Sequence, residues 1–325
     1  MDLFLGVDTS NYTTSLALTN EKGELVKDCR KVLEVKLGEK GLRQSEAFFQ
    51  HVKYLPLLFA EIFDKIEKEN LRAIAVSTKP RPVTGSYMPV FLAGKSMAEI
   101  VAKSLSIPII ETTHQEGHIM AGLWSSGLPL VKEFLTVHIS GGTTEILKVQ
   151  VKNSDVLKFN IEKLGGTTDL HAGQFVDRIG VRMGLSFPAG PKLELLAQES
   201  TNPCRLPLAV DGLKVSFSGP ESHAQRLLNK GENYADVARG VEICLLKSLQ
   251  KIIENAHADT KIDVCLLVGG VVSNQYIRSG LSTGLQRKGK NFDLYFASPR
   301  FSSDNAVGVS LIAKSIFTKG GITNE

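Results

Sequence analysis

The chain has 325 residues, 42% of them hydrophobic and 22% charged, with a formal net charge of +4. This is the composition of an ordinary globular protein, long enough for two domains of usual size. No apolar run approaches membrane-spanning length, which argues against transmembrane helices, and the small positive charge permits a polyanionic partner without demanding one. The start, Met1-Asp2-Leu3, is acidic and reaches a strand at once, unlike a signal peptide. Cys29, Cys204, Cys244 and Cys265 are scattered with no Cys-x-x-Cys pair, so a disulfide framework is not expected and a cytoplasmic location is.

In chain order, the apolar run Leu3-Phe4-Leu5-Gly6-Val7 enters a polar turn that begins at Asp8 and leaves through Ser15-Leu16-Ala17-Leu18. This strand, turn and strand read as a hairpin. An amphipathic helix is predicted over 48–63, a strand over 74–77, a turn at Lys79-Pro80-Arg81-Pro82 and a helix over 94–105. A strand at 107–110 follows, then a helix opening at His114. The hairpin device then returns. Phe134-Leu135-Thr136-Val137-His138-Ile139 enters Ser140-Gly141-Gly142-Thr143-Thr144, and Glu145-Ile146-Leu147-Lys148-Val149 leaves it. Helices are expected over 173–183 and, strongly amphipathic, over 235–256, with a Pro/Gly-rich turn at 186–191 between them. A buried-strand pattern at 264–268 ends in Gly269-Gly270-Val271-Val272-Ser273-Asn274, and a helix over 276–285, a strand over 294–296 and a helix over 305–316 complete the chain.

Two copies of one strand-turn-strand unit, about one domain length apart, suggest an internal duplication. The expected architecture is α/β with two similar lobes, residues 1–130 and 131–325, facing a cleft. Glycine-rich turns with free backbone N–H groups can wrap phosphate oxygens, and a Gly-Gly turn between strand and helix with Asn behind it suits an adenosine. The three turns together argue for a nucleotide in the cleft.

The segment His114-Gln115-Glu116-Gly117-His118 carries the metal argument. On a helix the two histidines lie one turn apart on one face, a spacing at which they can hold one divalent ion. Thr113 is well placed to cap that helix, which puts His114 at its mouth. The zinc-protease pattern His-Glu-x-x-His is excluded, because Glu116 stands two residues after His114, about 200° round the helix. Asp304 precedes the last predicted helix, where a carboxylate is either its N-cap or the third member of a His-His-Asp metal set. Asp177 interrupts an apolar helical face, either as a salt-bridge partner of Arg178 or Arg182 or as an acceptor for ribose hydroxyls.

Taken in order, His114-Gln115-Glu116-Gly117-His118, Ser140-Gly141-Gly142, Gly173-Gln174-Phe175-Val176-Asp177-Arg178, Pro188-Ala189-Gly190-Pro191, Gly269 to Asn274 and Ser303-Asp304-Asn305 resemble the TsaD/Kae/Gcp family. These are the tRNA threonylcarbamoyladenosine transferases, formerly described as O-sialoglycoprotein endopeptidases. The resemblance spans nearly the whole chain and implies the two-lobed actin-like ATPase and sugar-kinase fold. It implies a metal on His114, His118 and Asp304, with iron or zinc suiting such a set. It also implies a substrate loop at His138, Ile139, Ser140, Gly141 and Gly142, and nucleotide contacts at Asp177, Gly190, Glu194 and Asn274, with Gly269 and Gly270 in the adenosine turn.

The implied reaction transfers threonylcarbamoyl from its adenylate to the exocyclic amine of the tRNA adenosine beside the anticodon. The adenine nucleotide enters as part of the donor, and the implied partners are tRNA and further subunits of a transfer complex. Several positions differ from the family pattern. Asn11-Tyr12-Thr13 stands for Cys-Asp-Glu in the first turn, so both its acids are lost, Thr143 replaces a His, Leu170 an Asp and Gln174 a Glu, and Lys79-Pro80-Arg81-Pro82 stands where glycines are usual. Three alternatives follow: an ATPase or kinase with Asp8 on Mg²⁺ or phosphate, a paralogue that carbamoylates another acceptor, and a non-catalytic nucleotide-binding subunit. The kinase reading is weakened because His138-Ile139-Ser140 lacks the acid those relatives place before the second glycine turn.

Overall fold

The computed structural model describes the chain except residues 11, 37–40, 65, 130, 154–157, 287–291 and 319–325, so Asn11 lies outside the described residues. The first apolar run forms β1 (Leu3–Asp8), antiparallel to β2 (Thr13–Asn20) across the polar turn, as its strand-turn-strand pattern predicts. β2 pairs with β3 (Leu25–Val32), whose Lys, Asp and Arg content leaves no apolar period to read in the sequence. Helix α1 (Gln44–Phe63) buries Leu55, Leu58, Phe59 and Ile62 against this sheet. β4 (Leu71–Lys79), α2 (Phe91–Leu105) and β5 (Ile109–Thr113) follow, and the sheet order is β3-β2-β1-β4-β5. Helix α3 (His114–Ser126) starts directly from the end of β5.

The second sheet repeats the plan. β6 (Glu133–Ile139), β7 (Thr144–Asn153) and β8 (Lys158–Thr167) form an antiparallel meander. After α4 (Ala172–Arg182) and α5 (Gly190–Ala197), the two-residue strands β9 (Val210–Asp211) and β10 (Lys214–Val215) extend its edge. Then come α6 (Ser218–Asn229), α7 (Tyr234–Thr260), β11 (Val264–Val268), α8 (Gln275–Gln286), β12 (Asp293–Phe296), α9 (Pro299–Ser302) and α10 (Val307–Thr318). The order is β12-β11-β6-β7-β8-β10-β9. Without the β9-β10 extension it reads β8-β7-β6-β11-β12, the counterpart of the first sheet strand for strand, so the duplication is present in the topology.

The largest apolar core fills the space under the second sheet, where Phe175, Phe217, Val241, Leu245 and Ile253 meet Leu135 and Leu267. Helices α3 and α10 bridge the two sheets. Ile119 and Leu123 pack with Val307, Leu311, Leu266 and Val268, while Val309 and Ala313, elsewhere on α10, reach Phe4, Ala73 and Ala75 of the first sheet. The two helices touch through glycine: a Cβ on Gly308 would stand 1.9 Å from the carbonyl oxygen of Gly117. Only a residue without a side chain allows that approach, and the approach holds the start of α10 against the histidine face of α3. The last helix starts at Val307, not at residue 305 as predicted, because Asn305 Oδ1 accepts from the Val307 N–H at 3.0 Å. That corrects the capping alternative for Asp304: the side-chain bond at the helix start comes from Asn305, and the Asp304 carboxylate faces His114 and His118. Among the described residues no helix is long and apolar enough to cross a membrane.

Candidate metal centre and nucleotide cleft

Thr113 caps α3 as expected, within a reciprocal pair. Its hydroxyl accepts from Glu116 N–H at 3.2 Å, and the Glu116 carboxylate accepts from Thr113 N–H at 3.0 Å. Glu116 is thereby tied to the helix start, as its position round the helix from His114 predicts. The cap fixes the first turn and aims His114 and His118 at Asp304. His118 Nε2 lies 3.3 Å and His114 Nε2 3.5 Å from the same oxygen, Asp304 Oδ1. One donor atom from each of the three residues falls within 4.8 Å of the others. Two imidazoles and a carboxylate converging in this way are a donor set that fits a divalent transition metal with an open position.

The electrostatics also fit a cation. Asp304 is largely withdrawn from water at 13% side-chain exposure, which opposes ionisation, yet His114 and His118 hold its carboxyl far below the usual carboxylate range. Burial pulls the His114 pKa down, but Asp8 and Asp304 outweigh it and push it up to about 10. Burial and the charge on His114 lower the pKa of His118, so it is neutral. A single proton on His114 therefore balances the carboxylates of Asp8 and Asp304 where an ion would do so. Asp8, expected at Mg²⁺ or phosphate, is fully buried and turned to this centre instead. Its Oδ1 lies 3.2 Å from His114 Nδ1, and its Oδ2 accepts from the Ser10 hydroxyl. A carboxylate on the far nitrogen of a ligand histidine orients the ring and raises its basicity.

A cavity of about 460 Å³ opens beside the centre, with Asp304 in its wall. Of the residues expected at substrate and nucleotide, Ser140, Gly141, Asp177, Gly190, Glu194, Gly270 and Asn274 line it. His138, Ile139, Gly142 and Gly269 stand outside that lining. Gly269 has φ +99° and sits so close to β6 that a Cβ would meet the Ile139 carbonyl oxygen at 2.2 Å. A glycine is required there, and it packs the turn after β11 onto the end of β6. The start of α4 abuts the same loop, since Gly173 N–H donates to Ser140 O at 3.2 Å.

Asp177 makes no ion pair with Arg178 or Arg182 among the described residues, which corrects the salt-bridge alternative. Its Oδ1 accepts from Ala189 N–H at 2.8 Å, and burial pushes its carboxyl up to about 6. Glu194 and Asn274 both serve the start of α8: Glu194 Oε1 accepts from Gln275 N–H at 2.7 Å and Asn274 Oδ1 from Ile277 N–H at 2.9 Å.

Sequence reasoning missed two acids. Glu242, 1% exposed on α7, lines the cavity. It accepts from Asn274 Nδ2 at 2.5 Å and from Arg239 at 2.6 Å, and burial pushes its carboxyl up to about 7. Its one signal, a charge inside the buried stripe of an amphipathic helix, reads equally as a surface ion pair with Arg239. Glu145 at the start of β7 is buried at 3% exposure and gathers Arg81 at 3.1 Å, Lys163 at 2.9 Å and Gln115 at 3.1 Å. The turn that carries arginine in place of glycine thus supplies a cation to the second sheet. Tyr12, another departure, lines the cavity and meets the Phe187 ring edge-on at 5.2 Å.

A duplicated two-sheet α/β protein with a cleft and a His-His-Asp cluster beside it falls in the actin-like ATPase and sugar-kinase architecture. Solved structures of that shape agree. HypF of T. kodakarensis gives TM-score 0.61 at 14% identity over 100% of this chain and 48% of its own. A ROK family glucokinase of Streptomyces griseus gives 0.54 at 10% identity over 96% and 99%.

Within that architecture, residues 36–310 match the family model for tRNA N6-adenosine threonylcarbamoyltransferase, and the chain belongs to this family. The relative of that name in Archaeoglobus fulgidus is 26% identical over 316 residues, 97% of this chain and 92% of the relative. The protein is accordingly an enzyme of the transferase class that modifies tRNA.

Proposed function

We propose that this enzyme moves a threonylcarbamoyl group from threonylcarbamoyl-adenylate to the exocyclic amine of the adenosine beside the tRNA anticodon. The observation that carries the reading is the His114-His118-Asp304 cluster, within 4.8 Å, at the wall of a cavity of about 460 Å³. In this reading the lobes are residues 1–130 and 131–325, and the reaction is cytoplasmic.

The AMP half of the donor lies along Asp177, Gly190, Glu194 and Asn274, with Asp177 accepting from ribose hydroxyls, Gly270 bringing backbone close to the adenosine and Gly269 holding that turn against β6. His114, His118 and Asp304 hold one iron or zinc ion, which supplies Lewis acidity toward the oxygens of the donor. The adenosine amine forms a new C–N bond to the carbamoyl carbon, the bond from that carbon to the phosphate oxygen breaks, AMP leaves and the amine gives up a proton. In the Ser140, Gly141 and Gly142 loop, where the Ser140 N–H donates to Thr143 O and the Gly142 N–H to Ser140 Oγ, the Gly141 N–H faces the negative charge that develops on the carbamoyl oxygen. His138 and Ile139 anchor that loop to β6.

The chain works with partner subunits that supply the donor and present tRNA, since a net charge of +4 neutralises few phosphates. Deleting the gene and measuring threonylcarbamoyladenosine in total tRNA tests the reading, with loss of the nucleoside expected. Reconstitution with donor, unmodified tRNA and partners completes it. Silence with every partner present and the metal bound would overturn the acceptor and favour transfer to another one. Full turnover by the isolated chain would overturn the need for partners.

A further inference from the structure

One part of the cavity lies against the core under the second sheet. Leu193, Leu245, Val271 and Ile277 give it apolar walls there, and Glu242 and Asn274 bring polar groups into the same lining. Apolar walls with a few fixed polar atoms are how a pocket holds and orients a small ligand. The two polar side chains are fixed in opposite senses. Asn274 Oδ1 accepts from Ile277 N–H at 2.9 Å and its Nδ2 donates to Glu242 Oε1 at 2.5 Å, so the amide cannot turn over without losing both bonds. The Glu242 carboxylate, 1% exposed, also accepts from Arg239 at 2.6 Å through Oε2. Arg239 is itself held, with its guanidinium 4.1 Å from the Tyr276 ring centroid and its Nε donating to Ala197 O at 3.2 Å.

Each of these groups keeps unused capacity. The Asn274 amide nitrogen carries two hydrogens and gives one to Glu242, while a carboxylate has about four acceptor sites and Glu242 uses two of them on Asn274 and Arg239. The lining therefore offers one donor beside one acceptor. Adenine carries the complement on one edge, an acceptor at N7 next to the donating amine at N6. Guanine and hypoxanthine carry a second acceptor, O6, where adenine has its amine, and a carbonyl oxygen set against a carboxylate has no proton to share. We propose that Glu242 selects the base of the nucleotide, its carboxylate accepting from the exocyclic amine of adenine while the Asn274 amide donates to the ring nitrogen beside it. The ribose at Asp177 keeps the base from turning to offer another edge. The inference rests on the nucleotide reading above and adds to it a residue that sets which base the donor carries.

The test is calorimetry on the full chain at about pH 8.5, where the Glu242 carboxyl, which titrates at about 7, is ionised. The probes are AMP, IMP and the monophosphate of purine riboside, which has neither amine nor carbonyl at that position. Parent protein, Glu242→Gln and Glu242→Asp are compared, the last keeping the charge beside Arg239 while shortening its reach, and melting temperatures show that each folds. The parent is expected to bind AMP at least about tenfold more tightly than the purine riboside nucleotide, and more tightly still than IMP. In both variants the preference should fall to within about threefold, and IMP binding should improve in Glu242→Gln, whose amide can donate to O6. A parent that binds the three nucleotides alike overturns the inference without any variant. An unchanged preference in Glu242→Gln overturns it too, as does an equal loss for all three probes, which would make Glu242 a support of the pocket rather than a reader of the base. Failure of both variants to fold does the same. No AMP binding to the parent overturns the nucleotide reading itself and this inference with it.

Discussion

Metal binding should release one proton per ion near neutral pH, not two and not none. A ligand imidazole must be deprotonated before it can coordinate. His114, with its pKa near 10, is unprotonated in roughly one molecule in 300 at about pH 7.5. His118 is already neutral and Asp304 already ionised, so neither adds a proton. Apparent affinity should therefore rise about tenfold for each pH unit between about pH 7 and 9 and level off near pH 10. The stability of the metal-free protein runs the other way. The folded pKa of His114 exceeds the unfolded value of 6.5, so the stabilisation is fully present below about 6.5 and is lost as pH rises towards 10. Calorimetric zinc titrations in buffers of different ionisation enthalpy count the protons directly. Asp8→Asn removes the largest contact that raises the pKa of His114 and should flatten the pH slope, while His118→Ala should bind no ion at all. Affinity that is flat from pH 7 to 9 in the parent would refute the electrostatic argument, and undiminished metal in His118→Ala would refute the site.

Asp177→Ala should weaken AMP binding roughly tenfold to a hundredfold by calorimetry, and unchanged binding would refute its place at the ribose. No binding to the parent would refute the nucleotide reading altogether. Glu242→Gln should flatten stability between about pH 4.5 and 7. The carboxyl titrates at about 7 when folded, so its contribution is present below its ordinary value of 4.5 and is lost as pH rises through 7. Melting temperatures across that range should show a parent slope worth roughly 2–3 kcal/mol that is absent from the variant. Glu145→Ala should cost about 2 kcal/mol in urea unfolding, less than a fully buried pair, because Arg81 and Lys163 are 37% and 54% exposed and regain water. A loss well above that would mean that Glu145 holds the fold rather than one turn of it.

Much of this protein is written locally in its residues. The strands β1, β6 and β11 are short apolar runs bounded by small polar residues, and α7 is a long amphipathic helix, so period and punctuation suffice to find them. The repeat of the strand-turn-strand unit announces two equivalent sheets before any coordinates. His114 and His118 are one helical turn apart whatever surrounds them, and Thr113 with Glu116 carries its own cap. Elements without a period stay hidden: charged β3, two-residue β9 and β10, and α5 and α6 with only partly apolar faces.

What the linear chain leaves open is every relation across distance. Asp304 is 186 residues from His118, and nothing near it in sequence separates a helix cap from a metal ligand. The packing of α3 on α10, closest at Gly117 and Gly308, brings its oxygen to the histidines. Glu242 and Glu145 read locally as a surface charge and a strand-edge acid. Burial decides otherwise, because removing water raises the price of every unpaired polar atom and forces each to find a partner chosen by the fold. Local pattern therefore determined the elements, the duplication and the histidine pair of this protein, while tertiary packing decided which acids they meet.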